Sequence, residues 1–219
     1  EQPMKSVVYN NCIRVFYDER LDGGGLTFGQ QYRWAVEEKF GVVDTLAELF
    51  SGPAFIGFSL LAHGLCRKLI LADINPRAQE CCEKTIRENR LQNKVVFYLS
   101  DCLDSILPAA FDLIVANPPH RWTASEEIYQ QDIRTFDPNM RIHKKFYQQA
   151  PRFLAPGGSI LIQESGRATK AGDFTDMIIE NGLRVTEIFK APPVWSVRQL
   201  LKFKNPYYQT KHYFIWSQK

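Results

Sequence analysis

From Gly41 onward the chain alternates between short apolar runs and longer amphipathic ones, and that alternation leaves few folds open. Residues 45–50, 69–72, 95–99, 111–116 and 159–163 are short and apolar enough to be strands. Helix-like segments at 56–65, 76–91 and 139–154 separate most of them. Strands that read as continuous apolar runs are buried on both faces, and parallel neighbours need a crossover between them. The pattern therefore predicts an α/β sandwich, a mostly parallel sheet with helices on both faces. The finish differs. Segments 184–190 and 212–217 are strand-like and joined only by a loop, because Pro192, Pro193 and Pro206 forbid a regular helix there. They are expected to pair antiparallel.

Ahead of this alternation, residues 6–17 are rich in Val, Tyr, Ile and Phe and are broken by Asn10-Asn11, which reads as a short hairpin. Gly23-Gly24-Gly25 predicts a flexible turn. Tyr32, Ala35, Val36 and Phe40 then recur at helical spacing. Residues 1–43 are accordingly expected to form a hairpin and helix extension, and 44–219 the main domain. A chain of 219 residues buries one sizeable core, and it shows no repeat, low-complexity tract or linker.

Composition excludes several classes. The apolar fraction of 45% and charged fraction of 23% are those of an ordinary globular protein. No apolar run approaches the roughly 18 residues of a membrane span, and Glu1-Gln2-Pro3-Met4-Lys5 lacks the apolar region of a signal peptide. A net charge of +3 without a basic run leaves nucleic acid open as a partner but supplies no dedicated arm for it. The five cysteines, Cys12, Cys66, Cys81, Cys82 and Cys102, lie in or beside apolar segments. They lack Cys-x-x-Cys spacing, and nothing pairs them with the histidines as a zinc site, so no metal is expected. They read as reduced and structural, which predicts a cytoplasmic protein. Oligomeric state is not legible.

Ligand chemistry is expected at the carboxyl ends of the strands. The segment Glu48-Leu49-Phe50-Ser51-Gly52-Pro53-Ala54-Phe55-Ile56-Gly57 is a strand turning into a helix through small residues, in the pattern Gly-x-Ala-x-x-Gly. A glycine-rich first turn lets backbone approach a ligand closely. The next strand ends in Asp73-Ile74, where a carboxylate can accept from both hydroxyls of a ribose, and also cap the helix beyond Asn75-Pro76. The strand after it ends in Ser100-Asp101-Cys102, where a carboxylate can bond an adenine amine. Three such features at successive strand ends support one another. The candidate cofactor contacts are Phe50, Ser51, Gly52, Ala54, Gly57, Asp73, Ile74, Asp101 and Cys102.

The fourth strand runs straight into Asn117-Pro118-Pro119-His120, where two prolines stop the ladder and fix the backbone. With this loop, and with Leu154-Ala155-Pro156-Gly157-Gly158 before the fifth strand, the chain resembles the Asn-Pro-Pro-aromatic group of class I methyltransferases dependent on S-adenosylmethionine (SAM). That group includes the N6-adenine and release-factor glutamine enzymes. The likeness covers roughly residues 44–165, and five parallel strands followed by an antiparallel pair match the group's strand order. It implies a Rossmann-like, mostly parallel seven-stranded sheet with an antiparallel last strand, SAM as cofactor, and methyl transfer to nitrogen. It further implies that the Asn117 side chain and Pro118 carbonyl accept the two N–H bonds of the target nitrogen, with Pro119 fixing the loop and Asn117 also beside SAM. His120 departs from the pattern, since an aromatic that stacks on a planar target usually stands there. Imidazole stacks over less area and also bonds or accepts a proton.

Two segments are expected to cover the substrate. Arg121-Trp122-Thr123-Ala124-Ser125-Glu126-Glu127 follows the reaction loop and reads as a polar, mobile lid, with Trp122 against the substrate. Thr27-Phe28-Gly29-Gln30-Gln31-Tyr32 lies where related enzymes bring an N-terminal segment over SAM, placing Gln30 on the cofactor and Tyr32 on the substrate. The aromatics Trp195, Phe203, Tyr207, Tyr208, Tyr213, Phe214 and Trp216 read more as core than as a base-stacking surface. Three readings stay open. The first is N-methylation of a small molecule, amino acid or peptide, which the compact chain favours. The second is methylation of RNA or DNA adenine or of a protein glutamine, and the third is a catalytically silent SAM-fold partner subunit or another nucleotide-binding protein such as a dehydrogenase.

Overall fold

The computed structural model describes residues 3–123, 125–190 and 212–219. The Pro192, Pro193 and Pro206 loop, and Trp195, Phe203, Tyr207 and Tyr208, lie outside the described residues.

The chain opens with a hairpin, β1 (Lys5–Tyr9) and β2 (Ile13–Tyr17), turned through Asn10 and Asn11 at φ of +45° and +54°. Asparagine tolerates this left-handed backbone better than most residues. Helix α1 (Gln31–Lys39) follows. The main domain then runs β3 (Val43–Leu49), α2 (Phe55–Ala62), β4 (Cys66–Asp73), α3 (Pro76–Glu88), β5 (Val95–Leu99) and β6 (Phe111–Ala116). After β6 come β7 (Arg121–Thr123), α4 (Glu126–Gln131), β8 (Phe136–Pro138) and α5 (Arg141–Gln149). The finish is β9 (Leu154–Ser165), α6 (Gly172–Glu180), β10 (Arg184–Phe189) and β11 (His212–Gln218).

Seven strands form one sheet in the order β10-β11-β9-β6-β3-β4-β5. Only β11 runs against its neighbours, pairing antiparallel with both β10 and β9. Alternation sends successive side chains to opposite faces. In β6, Leu113 and Val115 join a core that holds α2 and the hairpin, while Ile114 and Ala116 join a second core with α5 and α6. Leu161 and its neighbours Ile160 and Ile162 divide in the same way in β9. Both faces are therefore dry, as the continuous apolar runs required.

The hairpin is fastened to α3 through its edge strand. Thr85 Oγ1 accepts the Phe16 N–H at 2.9 Å, and the Asn89 amide bonds both the N–H and the carbonyl of Arg14. Backbone groups that an edge strand would leave unpaired are thus satisfied by side chains.

Three boundaries differ from expectation. The helix expected over 139–154 is α5 ending at Gln149, because Pro151 tightens the chain into a 3-10 turn over Ala150–Phe153. β9 begins at Leu154, five residues before the expected start, and carries Pro156-Gly157-Gly158 within it. The segment from Arg121, expected as a polar, mobile lid, contains β7, paired parallel with β8, and then α4, whose first turn Ser125 caps by accepting the Ile128 N–H. Helix α6 was not legible, since it buries only Phe174 and Ile178.

Candidate active site

The strands of the parallel sheet end on a single cleft. Its floor is the first turn of the main domain, where Phe50, Gly52 and Ala54 take φ of +56°, +50° and +60°. Left-handed backbone at Phe50 and Ala54, which carry a Cβ, costs about 1–2 kcal/mol each. Such strain gathers where backbone must be aimed at a ligand. Gly57 answers a different need. A Cβ there would stand 2.6 Å from Glu48 Oε2, which accepts the Gly57 N–H at the same distance.

Phe50, Ser51, Gly52, Asp73, Ile74, Asp101, Cys102 and Asn117 all line the cleft. Asp73 Oδ2 accepts the Gly52 N–H at 2.7 Å and Oδ1 accepts the Asn75 N–H at 2.9 Å. Each oxygen keeps lone-pair capacity for a hydroxyl donor. Burial pushes this carboxyl upward, and the three backbone N–H groups around it pull the other way. Exposed Asp101 is held by Lys145 Nζ at 2.7 Å, and Ile74, half exposed, adds apolar surface to the same lining. Burial pushes the Cys102 thiol up to about 12, so it remains protonated and inert.

Asn117 closes the far end. Its Oδ1 is buried and has no hydrogen-bond partner among the described residues. A buried amide oxygen left unpaired costs about 1–3 kcal/mol, which a donating ligand would recover. Residues beside this orphan therefore fit a cofactor bearing ribose hydroxyls and a donor group opposite.

Gln30, Ala54, Gly57, Pro118, His120, Trp122 and Tyr32 do not line the cleft. The Gln30 amide is spent on the Tyr9 hydroxyl and the Gly25 carbonyl. Tyr32 is fully buried, and Trp122 is 59% exposed outside. The His120 ring turns from the cleft, bringing Nδ1 to 3.3 Å from Glu164 Oε2.

Sequence reasoning missed Glu48, which lines the cleft from inside the sheet. Burial pushes its carboxyl up to about 8, opposed by the Gly57 N–H. A lone acid within the apolar run Leu46-Ala47-Glu48-Leu49 was its signal. It also passed over Leu21, Tyr129, Ile133 and Arg134, which line the same cleft as Gly23 and Gly25, and the Arg134 guanidinium donates to the Arg20 carbonyl.

Fold and cleft together define a class I methyltransferase architecture. The methyltransferase small domain family model matches residues 11–170, and the chain belongs to that family of SAM-dependent methyltransferases. A release factor glutamine methyltransferase of Koribacter versatilis is 31% identical over 123 residues, 52% of this chain and 43% of that protein. A ribosomal RNA small subunit methyltransferase C of Actinobacillus pleuropneumoniae is 37% identical over 105 residues, 48% of this chain and 30% of that protein. The chain thus spans less than half the length of either relative. The N-methyltransferase NodS of Bradyrhizobium japonicum superposes with a TM-score of 0.56 at 17% identity, covering 91% of this chain and 99% of that one, a likeness of fold. No helix among the described residues is long and apolar enough to cross a membrane.

Proposed function

We propose that the chain transfers a methyl group to a nitrogen of a small molecule, amino acid or peptide. The observation that carries the reading is Asn117, which follows β6 directly, lies beside two buried prolines, lines the cleft together with Asp73, and leaves its buried Oδ1 without a partner among the described residues. SAM, when bound, supplies an electrophilic methyl and a neutral thioether leaving group. Asp73 would accept from its ribose, Asp101 from its adenine amine, and the Phe50–Ala54 turn would bring backbone against it. Asn117 Oδ1 and the Pro118 carbonyl would accept N–H bonds of the acceptor and aim its lone pair, so that rate comes from orientation and fixed dipoles. Residues 1–43 act as a cover, since Leu21, Gly23 and Gly25 wall the cleft.

The contact between Arg134 and the Arg20 carbonyl favours a small acceptor, because it ties together two segments that line the cleft. The relatives' names favour a second reading, a protein glutamine or an RNA base. Isotope-labelled methyl, passed from SAM into a cell extract split by molecular class, decides between them. Label in small molecules, absent with Asn117→Ala, supports the first reading, and label in protein or RNA overturns it.

A further inference from the structure

Two segments that line the cleft are fastened to opposite faces of the sheet. One is the strap between the hairpin and α1, which contributes Leu21, Gly23 and Gly25 to the lining. The other is the insert between β6 and α5, which contributes Tyr129, Ile133 and Arg134. The strap starts at buried Asp18, whose Oδ2 accepts from Arg77 Nε of α3 at 3.2 Å. Further on, a Cβ placed on Gly25 would meet the Phe55 ring of α2 at 3.3 Å, and one on Gly52 would meet the Leu21 carbonyl at the same distance. Helices α2 and α3 pack with the hairpin in one core. The insert runs instead into α5, where Asp137 accepts the N–H groups of Ile142 and His143 at 2.9 and 3.2 Å. Helix α5 packs in the other core, across the sheet.

Arg134 joins the two. Asp132 aims its guanidinium by accepting from Nε at 3.0 Å, and Nη1 donates to the Arg20 carbonyl. A contact between segments held on opposite faces has to pass over the carboxyl ends of the strands, where the cleft opens. The acceptor belongs to the main chain, because the Arg20 side chain is turned to Asp18, with Nη2 2.6 Å from Oδ2. Gly23-Gly24-Gly25 begins three residues beyond this hold. Gly24 stands at φ of +102°, and nothing among the described residues lies within 4 Å of a Cβ on Gly23. The strap therefore has the backbone freedom and the space to swing just past the point where Arg134 grips it.

We infer that Arg134 is the latch of the cofactor cleft. Its hydrogen bond to the Arg20 carbonyl holds the strap against the insert, and that bond must break each time SAM enters or its thioether product leaves. This rests on the cofactor lying against Asp73 and the Gly52 turn. Closure of such a cleft keeps water from the reacting centre and makes opening a step in every turnover. Arg134 is a positioning residue, acting on the cofactor through the strap. Asp132 in turn acts through Arg134, since a guanidinium fixed at Nε presents its remaining donors in one direction.

Stopped-flow binding of SAM, and of S-adenosylhomocysteine, to the full chain reads the association and dissociation rates separately. Arg134 is exposed, so Arg134→Ala leaves both cores intact. The variant should raise both rates alike, by roughly tenfold, as expected for loss of a hydrogen bond from a charged group, while Kd stays within about twofold. Two simpler roles read differently. A guanidinium that only repels the cationic cofactor would slow association, and its removal would raise that rate alone. A guanidinium that binds the cofactor would show itself as faster dissociation and a weaker Kd. Either result, or exchange equal to wild type, would overturn the latch. Asp73→Asn separates it from the site beneath. Unchanged SAM affinity there would place the cofactor elsewhere and remove both site and latch. Weakened affinity there, with wild-type exchange in Arg134→Ala, would sink the latch alone.

Discussion

The Tyr32 hydroxyl donates to the Ala116 carbonyl at 2.5 Å, tying α1 to the last residue of β6. A weaker contact of 3.4 Å reaches the Leu161 carbonyl of β9. Tyr32 therefore supports the reaction loop from beneath rather than meeting substrate. Tyr32→Phe removes a buried hydrogen bond and should cost about 1–2 kcal/mol, lowering Tm by roughly 2–4 °C per kcal/mol in a chain of this size. Methyl transfer should fall more than SAM affinity, because Asn117 follows Ala116 directly. Thermal denaturation beside SAM titration checks both, and an unchanged Tm would deny the contact a stabilising role.

Asp73 has two duties, holding the Gly52 turn and offering free lone pairs to a ribose. Asp73→Asn preserves size but removes charge-assisted hydrogen bonds worth about 1.5–3 kcal/mol each. SAM affinity should drop roughly 10- to 100-fold by calorimetry. Retained affinity would place the cofactor elsewhere.

Asn117→Ala has the opposite signature. It deletes the orphaned Oδ1 and disturbs no bond among the described residues. SAM affinity should stay within a few fold while turnover falls by roughly a hundredfold or more, as for a group acting mainly in the transition state. Equal losses in binding and turnover would make Asn117 a cofactor ligand instead.

The sheet was legible because strands buried on both faces write themselves as unbroken apolar runs, and Asn117-Pro118-Pro119 because prolines at a strand end have few structural uses. What was not legible is tertiary. Glu164 and Gln163 are adjacent in β9, and only strand alternation sends one to His143 and the other to Gln31. His143 looks like any polar residue of an amphipathic helix until Asp137 is brought beneath it. Tyr32 carries helical spacing that reveals burial but not the carbonyl its hydroxyl meets. The β7–α4–β8 insert is too short and too polar for periodicity to register.

Stability should fall steeply on the alkaline side, for a reason built into two buried groups. Glu48, pushed up to about 8 by burial, keeps a proton in the folded chain that it releases near 4.5 when unfolded. His143, held up at about 9, keeps one that the unfolded imidazole releases near 6.5. Both contributions are complete below the unfolded values and are lost as pH rises through the folded ones. Between pH 6.5, where the unfolded imidazole is still half protonated, and pH 8, where folded Glu48 is half ionised, the folded chain holds about 1.6 extra protons, and unfolding free energy should decline by about 2 kcal/mol per pH unit. Glu48→Gln keeps an oxygen for the Gly57 N–H but cannot titrate, so the slope should halve to about 1 kcal/mol per pH unit. Urea unfolding across that window measures both slopes. Equal slopes in the two proteins would mean that Glu48 is already ionised in the folded chain.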